Sequence, residues 1–304
     1  AIGAFAPTRW LACGPDQPLR LRIERPDTAD GASPVPVRLL AWREAGRAEL
    51  SRFDLVGATT LTWAGAYPAA PAPLAALAAP EVASPYLTGE TTHGPAFHLL
   101  RSLRRSAAGA SAILDAAAGA VPVGRLHPAL LDACTHGMPL SDLGLWFPGV
   151  DARWNALPRG IVHARFFAPT PASGEVRCEL RPAGLAADTG HPQVYVQFIA
   201  GDAVWCELLL ELALLDAAPF LGVAYEDRRA FMRRTALHPV RFSRRDGDVS
   251  VGTPATLAAF QWMPRQLETL FQLRDGLSPG ERAEAITAKE HVGHAAQVHP
   301  AEVG

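Results

Sequence analysis

Residues 126–136, LHPALLDACTH, are the first candidate for chemistry in this chain. Apolar residues at positions 126, 130, 131 and 134 follow helical spacing, and Pro128 suits the first turn of a helix. Asp132 and His136 are four residues apart, so they share one face of that helix. We predict that His136 orients Asp132 by a hydrogen bond. A carboxyl group that is buried loses solvation, which raises its pKa and favours its acid form.

A second candidate is the loop over residues 89–97, GETTHGPAF. A histidine such as His93 can accept or donate a proton near neutral pH, so it is a candidate catalytic residue. The alternative is that His93 is an ordinary loop residue without a role in chemistry.

Strands must hold both segments in place, because helical periodicity is rare elsewhere in the chain. Residues 19–23 alternate apolar and charged side chains, which is typical of a half-buried strand. Gly201-Asp202 predicts a tight hairpin turn between two strands. The other predicted strands cover residues 35–42, 48–62, 99–103, 110–114, 161–167, 176–180, 194–199 and 204–210. The pattern indicates an α+β fold.

The chain also contains an internal repeat. The sequence Phe-Ala-Pro-Thr occurs at residues 5–8 and again at residues 167–170. Three predicted strands follow each copy in the same order and at nearly the same spacing. We therefore expect a duplicated fold. Only the second copy is preceded by a segment that holds the candidate helix, so the first half is expected to lack its own helix.

Residues 89–97 and 127–136 together resemble the dehydratase domains of polyketide synthases and polyunsaturated fatty acid synthases. In that family, a Tyr-Gly-Pro-x-Phe loop precedes a helix with the pattern His-Pro-x-Leu-Leu-Asp. This chain has His93 where the family commonly has tyrosine. The resemblance implies that the substrate-binding residues are Tyr86, Gly94, Pro95, Phe97 and His127. Packing is the alternative for Tyr86 and Phe97, and helix initiation is the alternative for His127. The resemblance covers roughly residues 1–245 and implies a double hot dog fold, in which two curved antiparallel sheets each wrap a helix.

The resemblance implies elimination of water from a 3-hydroxyacyl thioester carried by an acyl carrier protein. Asp132 matches the family's catalytic acid, and the family's base is a histidine in an HxxxGxxxxP motif of the first half. That motif is absent here, and His93 is the first histidine of the chain. The base then precedes Ala1, or His93 or His136 replaces it, or the domain only binds acyl chains as a scaffold. An isomerase, a cyclase or a thioesterase on the same fold is a further alternative.

Composition shifts divide the chain into four parts. We predict a first hot dog half over residues 1–66, a Pro/Ala-rich connector over 67–85, a second half over 86–245 and a helical extension over 246–304. The extension contains Glu290, His291 and His294, but their order differs from the His-Glu-x-x-His arrangement that places two metal ligands on one helix face. The sequence therefore predicts no metal site.

Composition restricts the partners and the compartment. The net charge is −2 and 49% of residues are hydrophobic, so the chain is a folded protein without the basic excess of a nucleic-acid-binding protein. Charged residues interrupt the most apolar stretch, residues 204–225, so no membrane span is expected. The four cysteines form no CxxC pair and are expected to be reduced, buried thiols in the cytoplasm.

The resemblance also bears on cofactors and partners. It implies that no metal or redox cofactor is needed, because the elimination requires only proton transfer. The phosphopantetheine group belongs to the acyl carrier protein. Other domains of a synthase and a second copy of the chain, forming a homodimer, are the remaining expected partners.

Overall fold

The structure is a computed structural model, and every structural statement below concerns the residues that it describes. These are residues 1–8, 20–25, 34–88, 90–91, 93, 95–119, 121, 123–140, 142–151 and 154–216, with the backbone of 241–244 and 247–250. Cys13, Gly94 and the predicted helical patterns of the C-terminal extension lie outside them.

Eleven strands and two short α-helices are assigned in the described residues. The helices are α1 (Pro85–Thr88) and α2 (Pro128–Asp132). Four 3₁₀ segments cover Ala48–Leu50, Pro95–Phe97, Ala133–Gly137 and Leu143–Leu145. The strands are β1 (Leu21–Glu24), β2 (Val35–Arg43), β3 (Arg52–Leu61), β4 (Leu100–Ser106), β5 (Gly109–Asp115), β6 (Trp154–Phe166), β7 (Glu175–Leu185), β8 (Pro192–Ala200), β9 (Ala203–Asp216), β10 (Arg241–Arg244) and β11 (Gly247–Ser250).

The strands form two main antiparallel sheets, of order β1-β2-β3 and β4-β5-β7-β8-β9-β6, and a separate β10-β11 hairpin. The N-terminal residues join the two main sheets. Ile2 forms bridges with Leu61 at the end of β3 and with Ala164 in β6, and Phe5 bridges to Ile161 in β6. The backbone of both halves is therefore hydrogen-bonded across one seam.

This seam confirms the duplication predicted from the Phe-Ala-Pro-Thr repeat. In the second half, β6 lies beside β9 at the end of the order β7-β8-β9-β6. In the first half, residues 1–8 take the corresponding place beside β3, where Thr8 N donates to Val56 O at 2.7 Å. The second copy makes a similar contact, since Phe167 N donates to Trp205 O at 2.8 Å. Both copies thus lie against the last strand of their own half.

The predicted helix over residues 126–136 is present but shorter. His127 caps it by accepting a hydrogen bond from Leu130 N, and Pro128 occupies its first turn. After Asp132 the chain tightens into the 3₁₀ segment that ends at Gly137. Ala129 and Leu130 are fully buried in the core against the six-stranded sheet. Within the described part of residues 1–66, the helical structure is the 3₁₀ turn at residues 48–50.

The connector over residues 67–85 crosses the outer face of the six-stranded sheet mostly without regular structure. Its backbone is held by side chains from the sheet. Leu74 N donates to Gln197 Oε1 at 2.8 Å, and Arg177 donates to Leu74 O at 2.9 Å. A cavity of about 310 Å³ lies between the connector and strands β4, β5 and β7.

Beneath the connector lies a fully buried carboxylate, that of Glu179. It accepts hydrogen bonds from Ser111 at 2.6 Å, Arg177 at 2.7 Å and Arg181 at 2.9 Å. The two arginines in turn bond to connector carbonyls. The connector is therefore fixed to the sheet through a satisfied buried ion cluster.

Three further sequence predictions concern the cysteines, the turn at Gly201 and membrane spans. Cys134, Cys178 and Cys206 are free and buried, as expected. The turn at Gly201 joins β8 and β9, and its φ of 59° is a conformation that glycine adopts readily. Among the described helices, none has the length and apolar character required to cross a bilayer.

Candidate active site

Asp132 lies at the junction of α2 and the following 3₁₀ segment. Its side chain is 31% exposed, yet its Oδ2 atom is buried. Oδ2 lies 3.4 Å from His136 Nε2, so the two side chains are in contact, but the predicted hydrogen bond between them is not formed. The helical turn therefore places the carboxylate at the boundary between the core and solvent.

The loop brings a second imidazole to the same oxygen. His93 Nε2 lies 3.1 Å from Asp132 Oδ2, and the rings of His93 and His136 are 4.3 Å apart. On the other side of the ring, His93 Nδ1 contacts the hydroxyl of Thr91. Two histidines from separate segments thus face one carboxylate.

Tyr86 contacts the His136 ring at Nδ1, the nitrogen that does not face Asp132. Its hydroxyl lies 2.9 Å from His136 Nδ1, accepts a hydrogen bond from Leu100 N at 3.2 Å and donates toward Phe97 O at 3.3 Å. The Tyr86 ring stacks on His98 at 3.8 Å. These contacts hold His136 with its Nε2 directed toward Asp132.

The electrostatics differ from the sequence prediction. Burial alone would raise the pKa of Asp132, but the contacts with His136 and His93 outweigh it and place the pKa well below its usual range. The raised pKa predicted from desolvation is therefore wrong for this arrangement, because the sequence did not reveal that two imidazoles face the carboxylate. Burial lowers the pKa of His136, and it raises that of Tyr86 to about 12.

His127 lies away from this group. Its Nδ1 accepts from Leu130 N at 3.1 Å and its Nε2 lies 3.0 Å from Ala116 O. Both ring nitrogens are used inside the protein, so the structure gives His127 a capping role, and its contact with substrate stays a prediction. It also occupies the Leu130 N–H group at the start of the helix.

The other predicted substrate contacts differ in their surroundings. Phe97 is buried in the core, and its ring centre is 5.9 Å from that of His93. Pro95 is exposed at the start of its 3₁₀ turn. Tyr86 touches the site through its hydroxyl group.

Two residues near the site were not predicted from the sequence. Thr91 contacts His93 Nδ1, and His98 Nε2 donates to His93 O at 2.8 Å. A hydroxyl residue two positions before a histidine is a weak local signal, since such side chains bond nearby backbone or side-chain groups in loops. His98 had no recognisable signal, because its role depends on stacking with Tyr86.

The combined arrangement places groups that can exchange protons beside three atoms of the types that ligate metal ions. His93, Asp132 and His136 each offer one ligand atom, and these atoms lie within 4.8 Å of one another. All three come from the second half of the chain, and residues 1–66 contain no histidine. A histidine and a carboxylate therefore meet without a contribution from the first half.

Comparison with known proteins identifies the family to which this arrangement is similar. Residues 67–200 match a family model described as the polyketide synthase dehydratase N-terminal domain. A search of curated proteins gives no match. The match includes both the loop with His93 and the helix with Asp132, so the family resemblance based on those two motifs is confirmed.

Solved structures agree on the fold. The dehydratase domain from the CurJ module of curacin polyketide synthase is 12% identical with a TM-score of 0.53, covering 72% of this chain and 76% of that chain. The GphF dehydratase is 18% identical with a TM-score of 0.50, covering 69% of this chain and 74% of that chain. The double hot dog fold is thereby confirmed, with two open antiparallel sheets and few helices.

Proposed function

We propose that this polyketide synthase dehydratase-type domain removes water from a 3-hydroxyacyl thioester and releases the 2-enoyl thioester. The observation that supports it most directly is the 3.1 Å contact between His93 Nε2 and Asp132 Oδ2. Such an elimination needs one group that accepts the α-proton and one that protonates the departing β-hydroxyl. The contact supplies a histidine and a carboxyl group within a part of the chain that matches the family.

In this mechanism His93 replaces the family's histidine. Neutral His93 accepts the α-proton at Nε2 while Asp132, in its acid form, gives its proton to the β-hydroxyl. The carbon–oxygen bond breaks, water leaves and the carbon–carbon double bond forms. The proton on His93 then passes to the Asp132 carboxylate, which restores the starting state.

Under this proposal the two residues act as a pair. The imidazoles favour the carboxylate form of Asp132, so the proposed cycle depends on one proton that the pair retains between turnovers. Contacts of this kind are often long or poorly aligned before substrate binds and shorten in the reacting complex. His136, fixed by the Tyr86 hydroxyl, is a positioning residue for Asp132.

The substrate and partners follow from the same proposal. We infer that the acyl group is carried on the phosphopantetheine of an acyl carrier protein and that the parent is a multidomain polyketide or fatty acid synthase. The elimination itself requires no metal or redox cofactor, because it consists of two proton transfers and one bond cleavage. We further propose a cytoplasmic homodimer in contact with other synthase domains.

The direct test is incubation of the full chain with a 3-hydroxyacyl pantetheine thioester, followed by mass analysis. The proposal expects a product lighter by one water that carries a conjugated double bond. Binding of the thioester without any product would contradict it and favour an acyl-binding scaffold. A rearranged, cyclised or hydrolysed product would instead identify an isomerase, a cyclase or a thioesterase on this fold.

A further inference from the structure

We propose that His93, Asp132 and His136 form a binding site for a divalent transition-metal ion of the zinc type. Zinc prefers histidine nitrogen and carboxylate oxygen ligands in tetrahedral sites. The three side chains provide two nitrogens and one oxygen at a single position. This site was not expected from the sequence, because one ligand comes from the loop and two come from the helical segment.

The distances fit such an ion. Ligand atoms about 2.1 Å from a tetrahedral zinc ion lie about 3.4 Å from one another. Asp132 Oδ2 lies 3.1 Å from His93 Nε2 and 3.4 Å from His136 Nε2. All three ligand atoms are within 4.8 Å of one another, so only a small adjustment of the loop histidine is needed.

The surroundings of both imidazoles also suit metal binding. A metal-bound histidine usually uses its second ring nitrogen for a hydrogen bond that fixes the ring. Here His136 Nδ1 lies 2.9 Å from the Tyr86 hydroxyl, and His93 Nδ1 contacts the Thr91 hydroxyl. The Nε2 atoms are thereby left to face Asp132.

The buried polar atoms at the centre of the site provide an independent reason to expect a bound ion. The His136 side chain is fully buried, and its Nε2 has no hydrogen-bond partner. Asp132 Oδ2 is likewise buried, and its contacts with His93 at 3.1 Å and His136 at 3.4 Å do not have the geometry of hydrogen bonds. Buried polar atoms are rarely left in this state, and an ion is one recognised explanation. A cation between these atoms would satisfy both.

The proposed metal site is accessible from solvent, and a bound ion would affect the proposed reaction. The Asp132 side chain is 31% exposed and that of His93 is 17% exposed, so an ion can enter from solvent. A bound ion would occupy His93 Nε2 and Asp132 Oδ2. This consequence rests on the dehydration proposed above: zinc bound at these atoms would be a reversible inhibitor of the dehydration.

The binding test needs no substrate. The full chain and two variants, His93→Gln and Asp132→Asn, are equilibrated with zinc and dialysed, and bound zinc per chain is measured. Because the chain has ten histidines, the readout is the difference between variants rather than the total. His163→Gln, which changes a histidine on β6, is the matched control.

We expect each site variant to lose one zinc equivalent and His163→Gln to lose none. Cobalt in place of zinc should give the visible absorption of a four-coordinate ion, and that absorption should disappear in His93→Gln. Equal zinc contents in the wild type and both site variants would overturn the metal site. Circular dichroism of each variant separates loss of ligand from loss of fold.

The inhibition is tested separately. With zinc bound, the rate of enoyl formation should fall in proportion to occupancy and return when a chelator removes the ion. An unchanged rate at full occupancy would overturn the inhibition while leaving the metal site standing. If the chain shows no dehydration at all, the zinc stoichiometry still decides whether the site exists.

Discussion

His93 Nε2 lies 3.1 Å from Asp132 Oδ2, so a loop imidazole and a helix carboxylate are in contact within the second half of the chain. His136 approaches the same oxygen at 3.4 Å. The carboxylate therefore has two imidazole neighbours, and its behaviour depends on both. Four further predictions test the site and the structure that supports it.

Replacing Asp132 with asparagine should lower the rate of enoyl formation by at least about 100-fold, because the amide cannot hold and release the proton. Mass analysis of the product measures this rate. Asp142→Asn, at an exposed carboxylate in a neighbouring loop, serves as the control and should leave the rate unchanged. A fully active Asp132→Asn chain would contradict the proposed acid.

His93→Tyr restores the residue common in the resembled family and tests whether His93 has become the base. We expect a loss of at least about 100-fold in turnover, since tyrosine does not accept a proton near neutral pH. His163→Gln again provides the comparison. Retained turnover in His93→Tyr would show that the base is another group and would remove His93 from the mechanism.

Tyr86→Phe removes a hydroxyl that contacts His136 Nδ1 and two backbone groups. Leaving these groups without a partner should reduce the free energy of unfolding by about 1–3 kcal/mol, measured by urea denaturation. The proposed positioning role also expects a lower kcat with little change in KM. Tyr67→Phe, at an exposed tyrosine, should change stability by less than about 0.5 kcal/mol.

For Tyr86→Phe, a loss of stability without any change in kcat would limit Tyr86 to a structural role. A change in KM alone would indicate contact with the substrate instead. Both results can be distinguished in one steady-state experiment.

Glu179→Gln should destabilise the fold, because it leaves Arg177 and Arg181 without their buried carboxylate. Breaking such a cluster costs about 3–5 kcal/mol, and we expect the lower end because both arginines are partly exposed. Urea denaturation measures the change, and Glu175→Gln, exposed on the same strand, is the control. The connector should also become more sensitive to limited proteolysis. Equal stability of the two variants would contradict a stabilising role for the buried ion cluster around Glu179.

Local patterns were sufficient to predict much of this protein. Alternating and helical periodicity located most strands and the segment with Asp132, because these patterns depend on neighbouring residues. The i, i+4 spacing predicted the contact between Asp132 and His136 for the same reason. The repeat predicted the matching strand order of the two halves. The family motifs then indicated the double hot dog fold.

Tertiary structure decided the contacts between residues that are distant in sequence. Nothing local indicates that His93 reaches Asp132, and the direction of the Asp132 pKa depends on that contact rather than on burial alone. The role of His127 likewise depends on a distant carbonyl, that of Ala116. Periodicity specifies which side of an element is buried, but the packing of separate elements determines which polar groups finally meet.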